Sequence, residues 1–476
     1  MNVRRPGSAA VPDAAEPLAP SARNRAAAVG FGVGLLAFVA YLPGLGRSLD
    51  FDSAETVGGF IRHGPPWAVF HEQAVFNNHP LFSFIEQLVR VLAGRTDVAT
   101  MRLLPIAFGA ATVGTLAWYC ARRFDAIAGI VGAAIVAVNP TFNELSRSVR
   151  GYSLVTLCAL LSSIVVVEEL AGAPASRWAL GRRSGVWYVG AAAAGVATHL
   201  FMVLVVAVHV VVVTATKRLD TRWRQRFLSV ALLSLLAYVG MARIMVDANA
   251  AHDRVFQPRL PWQVAQMALG DGWAAVVLAP VVALGALAFV HMRSARVAVA
   301  TFLVMFVLVW AVGRSSGLGP RFFIFLLPAI GVLTAAAVRR VPWLAFLGAA
   351  SAVIAAVPIV GTYRDDPTSY REAANIIQSI NAAGGHSCVV DAGVPPMTAY
   401  VDDRRDFTAI TEPGQLGACD VVVVAAWWQS NARWYRQDNV IIADAERRFA
   451  NRLILESADP ALVLSKLPLS AWSISA

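Results

Sequence analysis

Runs of about 20 apolar residues recur along most of this chain, and a run of this length crosses the hydrocarbon core of a bilayer as one α-helix. Inside a bilayer, only helices and closed barrels satisfy their own backbone polar groups. Of the 476 residues, 57% are hydrophobic and only 15% are charged. Soluble proteins carry about 25% charged residues. The sequence therefore predicts an α-helical protein that crosses the membrane many times.

Ten apolar runs predict eleven crossings, because one of them is long enough to cross twice. That run, Val186–Thr216, has basic residues at both ends, and short basic loops stay on the cytoplasmic side of a membrane. Both ends are therefore expected inside, with a bend near Thr198 and His199. The other predicted spans are Ala26–Leu45, Leu103–Cys120, Phe124–Pro140, Tyr152–Val167, Phe227–Val246, Trp273–His291, Val297–Val312, Phe322–Val338 and Pro342–Val360.

Basic residues between the spans also predict the orientation of the chain. They fall on the side of the N-terminal tail, which is therefore expected to be cytoplasmic. The formal net charge of +10 then reflects membrane topology, and no nucleic-acid partner is expected. Few lysines among many arginines and alanines are typical of a GC-rich bacterium, which indicates the bacterial inner membrane. Three regions are predicted: a disordered cytoplasmic tail (1–25), a membrane domain (26–360) with an outer loop (46–101), and an extracytoplasmic domain (361–476). Amphipathic stretches of the outer loop, such as Leu81–Leu92, are expected to form helices that lie along the membrane surface.

The C-terminal region differs in character from the membrane domain. Its apolar residues first follow a helical spacing and then form short runs that are typical of buried strands. This pattern predicts a small α/β domain outside the cytoplasm, where a disulfide between Cys388 and Cys419 is possible. The predicted elements are a helix that ends at Gly384–Gly385, strands at Ser387–Asp391 and Asp420–Ala425, and a helix at Asp444–Ile454.

Acidic residues gather directly after the first span. Asp50, Asp52 and Glu55 lie within six residues, and carboxylates beside a bilayer are costly unless they are solvated or paired. A solvated loop that caps a helix is one explanation. A functional site is the other, and further polar residues on the same predicted side favour it. These are His71, Asn77, Asn78, His79, Glu144, Arg147, Arg150, His199, Arg243, His252, Arg254, Arg314 and Arg321.

Several arginines near an acidic loop indicate a shared anionic ligand, whereas an isolated interfacial arginine simply extends to water or to lipid headgroups. Arginine binds phosphate through two parallel hydrogen bonds and stays charged. A polyprenyl-phosphate-linked sugar places a phosphate at the level of the membrane. A carboxylate can then take the proton of an acceptor hydroxyl that attacks the anomeric carbon, while the lipid phosphate leaves as an anion.

Five short motifs follow one another along about the first 340 residues: SLDFDSA (48–54), NHPLF (78–82), SVRGY (148–152), THL (198–200) and PRFF (320–323). In this order they resemble motifs of the GT-C superfamily of integral-membrane glycosyltransferases, most of all glycosyltransferase family 39, the protein O-mannosyltransferase and aminoarabinose-transferase branch. The first three are similar to the family's SLWxDEA, HPPL and EAR-x-Y. The last two resemble its His-Tyr bend and its R-Y segment, and residues 101–140 are similar throughout.

The resemblance implies a GT-C fold and an inverting sugar transfer on the outer face of the membrane. Asp52 matches the family's catalytic aspartate, which implies that it is the general base. Ser53 and Ser148 stand where the family has acidic residues, so Asp50 stays a second candidate for the general base. Asp50 is also a candidate for the missing second carboxylate. The residues expected to bind the donor phosphate or other parts of the substrates are Arg150, Arg321, His79, Tyr152, His199, Glu55 and Arg147.

The expected partners are a polyprenyl-phosphate sugar donor and an acceptor that is a lipid, a glycan or a protein. A divalent metal ion is possible but not required. A transporter or flippase of lipid-linked sugars is an alternative, although polar residues at one face and the lack of an evident inverted repeat disfavour it. An inactive GT-C-like scaffold for cell-envelope assembly is another alternative, because of the serines at positions 53 and 148.

Overall fold

A computed structural model of the chain describes residues 20–62, 65–70, 79–94, 97–171, 183–241, 258–270, 272–312, 319–362, 368–401, 406–425, 436–457, 460–468 and 470. A helical membrane domain is followed by a small α/β domain, as the sequence predicts. The helices of the membrane domain are α1 (Pro20–Tyr41), α2 (Phe51–Thr56), α3 (Pro80–Ala93), α4 (Val98–Arg123), α5 (Ala126–Ala137), α6 (Pro140–Leu145), α7 (Tyr152–Leu170), α8 (Ser184–Thr198), α9 (Met202–Ala215), α10 (Thr221–Tyr238), α11 (Leu260–Leu269), α12 (Gly272–Phe289), α13 (Arg293–Val312), α14 (Leu327–Arg340) and α15 (Leu344–Thr362).

A helix lies at each of the eleven predicted crossings. Within the described residues, six helical segments are long and apolar enough to span a membrane, namely α1, α4, α7, α12, α13 and Pro320–Arg340. In the last of these, a 3₁₀ turn (Pro320–Leu326) precedes α14. Helices α5 and α9 and the Leu344–Val360 part of α15 are apolar but shorter. The number of crossings therefore stays a prediction. The bend between α8 and α9 lies beside His199, as expected.

The first helix begins inside the predicted tail. Helix α1 starts at Pro20, ahead of the expected Ala26, and residues 1–19 lie outside the described part of the chain. Helix α1 then packs closely along α4, since a Cβ built on Gly34 would lie 3.2 Å from the Cα of Gly114. Small residues allow helices in a bilayer to approach in this way. The packing brings the end of α1, and the outer loop that follows it, beside the other helices of the membrane domain.

The C-terminal domain contains a five-stranded mixed sheet. Strands β2, β1 and β3 are parallel neighbours, and the antiparallel strands β5 and β4 complete the order β2-β1-β3-β5-β4. A disulfide joins Cys388 and Cys419, the pair that the sequence left open. The elements are α16 (Tyr370–Ala382), β1 (Ser387–Val390), α17 (Val394–Met397), β2 (Thr408–Ile410), β3 (Val421–Val424), α18 (Arg436–Arg448), β4 (Asn451–Leu455) and β5 (Ala461–Ser465).

One predicted element of this domain is wrong in its second half. The helix expected at Asp444–Ile454 is α18, which begins at Arg436 and ends at Arg448, and the chain then forms β4. Strand β4 pairs with β5 along its whole length, with Leu453 opposite Val463. A neighbouring strand distant in sequence therefore decides the conformation of 451–455, which local spacing cannot indicate.

The C-terminal domain packs directly on the outer loop of the membrane domain. Leu49, Ala54 and Ile61 from the loop share an apolar cluster with residues of the domain such as Tyr370 and Met397. Beside this cluster, the Arg62 guanidinium donates a hydrogen bond to the Thr398 carbonyl oxygen at 2.9 Å. The segment that carries Asp52 and Glu55 is thus enclosed between the two domains.

Gly58 allows this close contact, because a Cβ on it would collide with the Pro395 carbonyl and the Thr398 hydroxyl of the C-terminal domain. We expect Gly58→Ala to lower the free energy of unfolding by about 1–3 kcal/mol, as overpacking does elsewhere. Gly59→Ala is the matched control, because its Cβ would meet no atom within 4 Å. Thermal unfolding of both variants in detergent measures the difference. Equal melting temperatures for the two would contradict the contact.

Candidate active site

The short helix α2 carries the acidic residues that follow the first span. Asp50 is its N-cap: one carboxylate oxygen accepts from the Ser53 N–H at 2.9 Å and the other from the Ser53 hydroxyl at 2.7 Å. An aspartate in this position satisfies N–H groups that have no partner within the helix. Asp50 therefore begins the helix on which Asp52 and Glu55 lie.

Asp52 lies between two arginines from distant parts of the chain. Its Oδ1 is 3.8 Å from Arg150 Nη1, and its Oδ2 forms an ion pair with Arg321 Nη1. Arg150 also donates to the backbone carbonyl of Asp52 at 3.0 Å. Arg150 precedes α7 and Arg321 lies in the 3₁₀ turn before α14. The three side chains carry one negative and two positive charges, which favours a further anion.

The two arginines differ in their access to solvent. The Arg150 side chain is 0% exposed, whereas that of Arg321 is 39% exposed and that of Asp52 is 15% exposed. Arg150 is anchored, since it bonds the backbone of α2 and its guanidinium lies 5.9 Å from the Tyr152 ring centre. Arg321 is accordingly the arginine that an incoming anion can reach.

Two serines connect the loop of Asp52 to the loop of Arg150. Ser53 Oγ and Ser148 Oγ are 2.7 Å apart, and the Ser148 hydroxyl donates to Asp50 Oδ2 at 3.3 Å. The Val149 N–H also donates to Ser53 Oγ at 3.0 Å. These serines stand where the resembling family has acidic residues. Hydroxyls can donate and accept at such short range, whereas two carboxylates here would repel each other.

Three rings lie beside this cluster. The ring centres of His79 and Tyr152 are 4.8 Å apart, and those of His79 and His199 are 5.1 Å apart. His199 in turn contacts Phe322, next to Arg321, at 5.4 Å. Burial, together with the Arg150 charge, lowers the pKa of His79 well below its ordinary value of 6.5, so its ring is neutral at pH 7. The structure thus brings His79, Tyr152 and His199 together beside Arg150, and their expected roles in substrate binding stay predictions.

Glu55 and Arg147 take different positions around Asp52. Glu55 is buried on α2, and burial raises the pKa of its carboxyl to about 7, against the opposing effect of Arg150. Arg147 donates weakly to the carbonyls of Asn143 and Pro43, both at 3.4 Å. It therefore contacts the turn after α1, and its expected role in substrate binding stays a prediction.

Arg102 is a residue of this region that the sequence analysis did not identify. In the first turns of α4, its guanidinium donates to four backbone carbonyls of the turn before α2, at 2.6–3.0 Å. The sequence signal that indicates such a residue is an arginine at the start of an otherwise apolar span. The four carbonyls belong to Gly44, Leu45, Arg47 and Ser48.

Other expected site residues lie outside the described residues, namely His71, Asn77, Asn78, Arg243, His252, Arg254 and Arg314. Among the residues that are described, no group of three or more His, Cys, Asp or Glu side chains is placed to bind a metal ion. A divalent metal therefore stays a possibility that the sequence raised.

Solved structures of ArnT, an aminoarabinose transferase from Cupriavidus metallidurans, are similar to this chain over nearly its whole length. The apo structure matches with a TM-score of 0.56 and 13% identity, over 92% of this chain and 97% of that one. The structure bound to undecaprenyl phosphate matches equally well, at 12% identity. The chain has a GT-C fold.

A second GT-C protein has the same fold within a much longer chain. The arabinofuranosyltransferase AftD from Mycobacteria matches with a TM-score of 0.53 and 14% identity, over 95% of this chain and 40% of that one. No family profile matches the sequence, and no curated protein matches it. At these identities the likeness establishes the GT-C fold alone.

Glu86 is a buried acidic residue of the outer loop. It lies on α3, is 1% exposed, and neither carboxyl oxygen has a hydrogen-bond partner among the described residues. Burial raises the pKa of its carboxyl from 4.5 to about 8. The folded state therefore binds the proton more tightly than the unfolded state, and the stabilising effect of this proton is lost as the pH rises through about 8.

We expect Glu86→Gln to raise the melting temperature more at pH 8.5 than at pH 5, because glutamine does not ionise when it is buried. Glu456→Gln is the control, since Glu456 is exposed in the C-terminal domain. Melting curves of the three proteins at both pH values provide the test. A pH-independent difference between Glu86→Gln and wild type would show that Glu86 does not titrate on unfolding.

Proposed function

We propose that this protein is an inverting glycosyltransferase that moves a sugar from a polyprenyl-phosphate donor to an acceptor hydroxyl at the outer face of the membrane. The observation that carries the proposal is the Asp52 carboxylate between Arg150 and Arg321, on a GT-C fold. The complex of ArnT with undecaprenyl phosphate supports a lipid phosphate as part of the donor.

Arg321 is the proposed ligand of the donor phosphate. Its side chain is partly exposed, and it exchanges the Asp52 carboxylate for the phosphate when the donor binds. Charge-assisted bonds from a guanidinium stabilise the phosphate more as it leaves with a full extra negative charge. Arg150 stays buried, contributes its positive charge to the site, and fixes Asp52 through the backbone carbonyl.

Asp52 is the proposed general base. When Arg321 turns to the phosphate, one oxygen of the carboxylate is released and can accept the proton of the acceptor hydroxyl. The acceptor oxygen forms a bond to the anomeric carbon as the bond from that carbon to the phosphate oxygen breaks, which inverts the configuration. The proton is then on Asp52 and the lipid phosphate has departed as an anion, so no separate acid is required.

The proposed orientation places the N-terminus in the cytoplasm and the site outside, in a bacterial inner membrane. Arg339 at the end of α14 and Asp125 at the start of α5 form an ion pair of 3.5 Å, which joins two of the predicted cytoplasmic turns. The α8–α9 bend, the start of α7 and the turn before α14 instead meet at the site. This arrangement supports an orientation in which the sugar is transferred outside the cytoplasm.

Donor binding tests the role of Arg321. We expect Arg321→Ala to weaken the binding of undecaprenyl phosphate about 10- to 100-fold, the size of a lost charge-assisted hydrogen bond. Arg321→Lys should recover part of the affinity, since lysine keeps the charge but not the planar pair of donors. Arg339→Ala, at the opposite side of the membrane domain, is the matched control. Equal affinity of Arg321→Ala and wild type would exclude this residue as the phosphate ligand.

Sugar release from radiolabelled polyprenyl-phosphate sugars by the purified protein tests the function itself. We expect Asp52→Asn to lower turnover about 10²–10⁴-fold with little loss of donor affinity, because only the proton-accepting charge is removed. Asp50→Asn should keep near-normal turnover, since asparagine also caps helices well.

The two aspartate variants decide between the candidate bases. Normal turnover in Asp52→Asn together with a large loss in Asp50→Asn would move the base to Asp50. Normal turnover in both would contradict the carboxylate mechanism. Binding of the lipid phosphate without any transfer by the wild-type protein would favour a flippase or an inactive scaffold.

A further inference from the structure

The C-terminal domain hydrogen-bonds the backbone directly before helix α2. The Leu49 N–H donates to the Tyr400 hydroxyl oxygen at 2.7 Å, and the Thr368 hydroxyl donates to the Leu49 carbonyl oxygen at 2.7 Å. Leu49 itself is completely buried. Both polar groups of this residue are therefore bonded by side chains that lie more than 300 positions later in the sequence.

The membrane domain bonds the same stretch from its other side. Arg102 donates to the Ser48 carbonyl oxygen at 2.6 Å, and the Ser48 hydroxyl hydrogen-bonds to Tyr400. The peptide between Ser48 and Leu49 is thus bonded by α4 on one side and by the C-terminal domain on the other. The next residue, Asp50, is the N-cap of α2.

Helix α2 depends on such contacts for its position. It has six residues and continues into a five-residue π-helical turn (Val57–Ile61), and isolated helical segments shorter than about 12 residues are marginal in water. Asp52 lies in its first turn, so a shift of the Ser48–Leu49 backbone moves the carboxylate relative to Arg150 and Arg321. Displacements of about 1 Å at a reacting group can cost about 10²-fold in rate.

We propose that Tyr400 and Thr368 are positioning residues, through which the C-terminal domain fixes the Ser48–Leu49 backbone and hence the place of Asp52 in the site. The proposal rests on the proposed glycosyl transfer for its effect on turnover. Its structural part, the ordering of the loop before α2, does not depend on any substrate. The C-terminal domain then contributes to the geometry of the active site and also packs on the outer loop.

Tyr400→Phe and Thr368→Val test the proposal in the full-length protein in nanodiscs, because each removes one hydroxyl and keeps most of the shape. The control is Thr408→Val, which removes a hydroxyl that contacts His386 elsewhere in the same domain. We expect amide hydrogen exchange in peptides that cover 46–56 to be about 10-fold faster in both test variants. Exchange in β1 and β3 should be unchanged, which shows that the domain remains folded.

Turnover of a polyprenyl-phosphate sugar is the second measurement. We expect kcat to fall about 10-fold in each test variant while KM for the donor changes less than about twofold, because the base is displaced and the phosphate site is intact. The control variant should match wild type in both measurements. A merely structural role would leave kcat unchanged in the folded protein.

Each contrary result has a distinct meaning. Unchanged exchange in both test variants would overturn the ordering of the loop, and faster exchange with unchanged kcat would overturn the positioning role. A wild-type protein that transfers no sugar from any donor would instead contradict the proposed function. Hydrogen exchange would still decide whether Tyr400 and Thr368 order the loop.

Discussion

The ion cluster of Asp52, Arg150 and Arg321 connects the parts of the structure that meet at the outer end of the membrane domain. Its members come from the first outer loop, from the loop before α7 and from the turn before α14. Arg150 is fully buried and Asp52 is mostly buried, so loss of Asp52 leaves a buried guanidinium without that carboxylate. The surplus positive charge also makes this end of the helices attractive to an anion. The same three groups thus join distant segments of the chain and form the proposed site.

The acidic helix is supported by two domains at once. Arg102 bonds the carbonyls that lead into α2, while Tyr400 and Thr368 bond Leu49 from the C-terminal domain. Further along, Gly58 lets the same domain approach the backbone closely. Even with the π-helical turn at Val57–Ile61 that continues it, α2 is too short to be stable through its own hydrogen bonds, so these neighbours determine its position. This dependence links the folding of the C-terminal domain to the chemistry of the membrane domain.

Two buried acidic groups lower the stability of the outer loop. Burial raises the pKa of the Glu55 carboxyl to about 7 and that of the Glu86 carboxyl to about 8, so each carboxyl holds its proton more tightly in the folded protein than in the unfolded one. The stability that these protons contribute is therefore lost as the pH rises towards these values. Ser53 and Ser148 act in the opposite direction, because two hydroxyls there avoid the repulsion of two further carboxylates.

The sequence by itself determined the membrane helices, the small α/β domain and most of the residues that meet around Asp52, because hydrophobic length and short motifs are local properties. Tertiary structure decided that Asp50 caps α2 while Asp52 bonds the arginines, since a shift of two positions turns a side chain on a helix to another face. It also decided that Arg150 is enclosed and Arg321 accessible, and that 451–455 is a strand. Those outcomes depend on contacts between segments far apart in the chain, which a local sequence pattern cannot indicate.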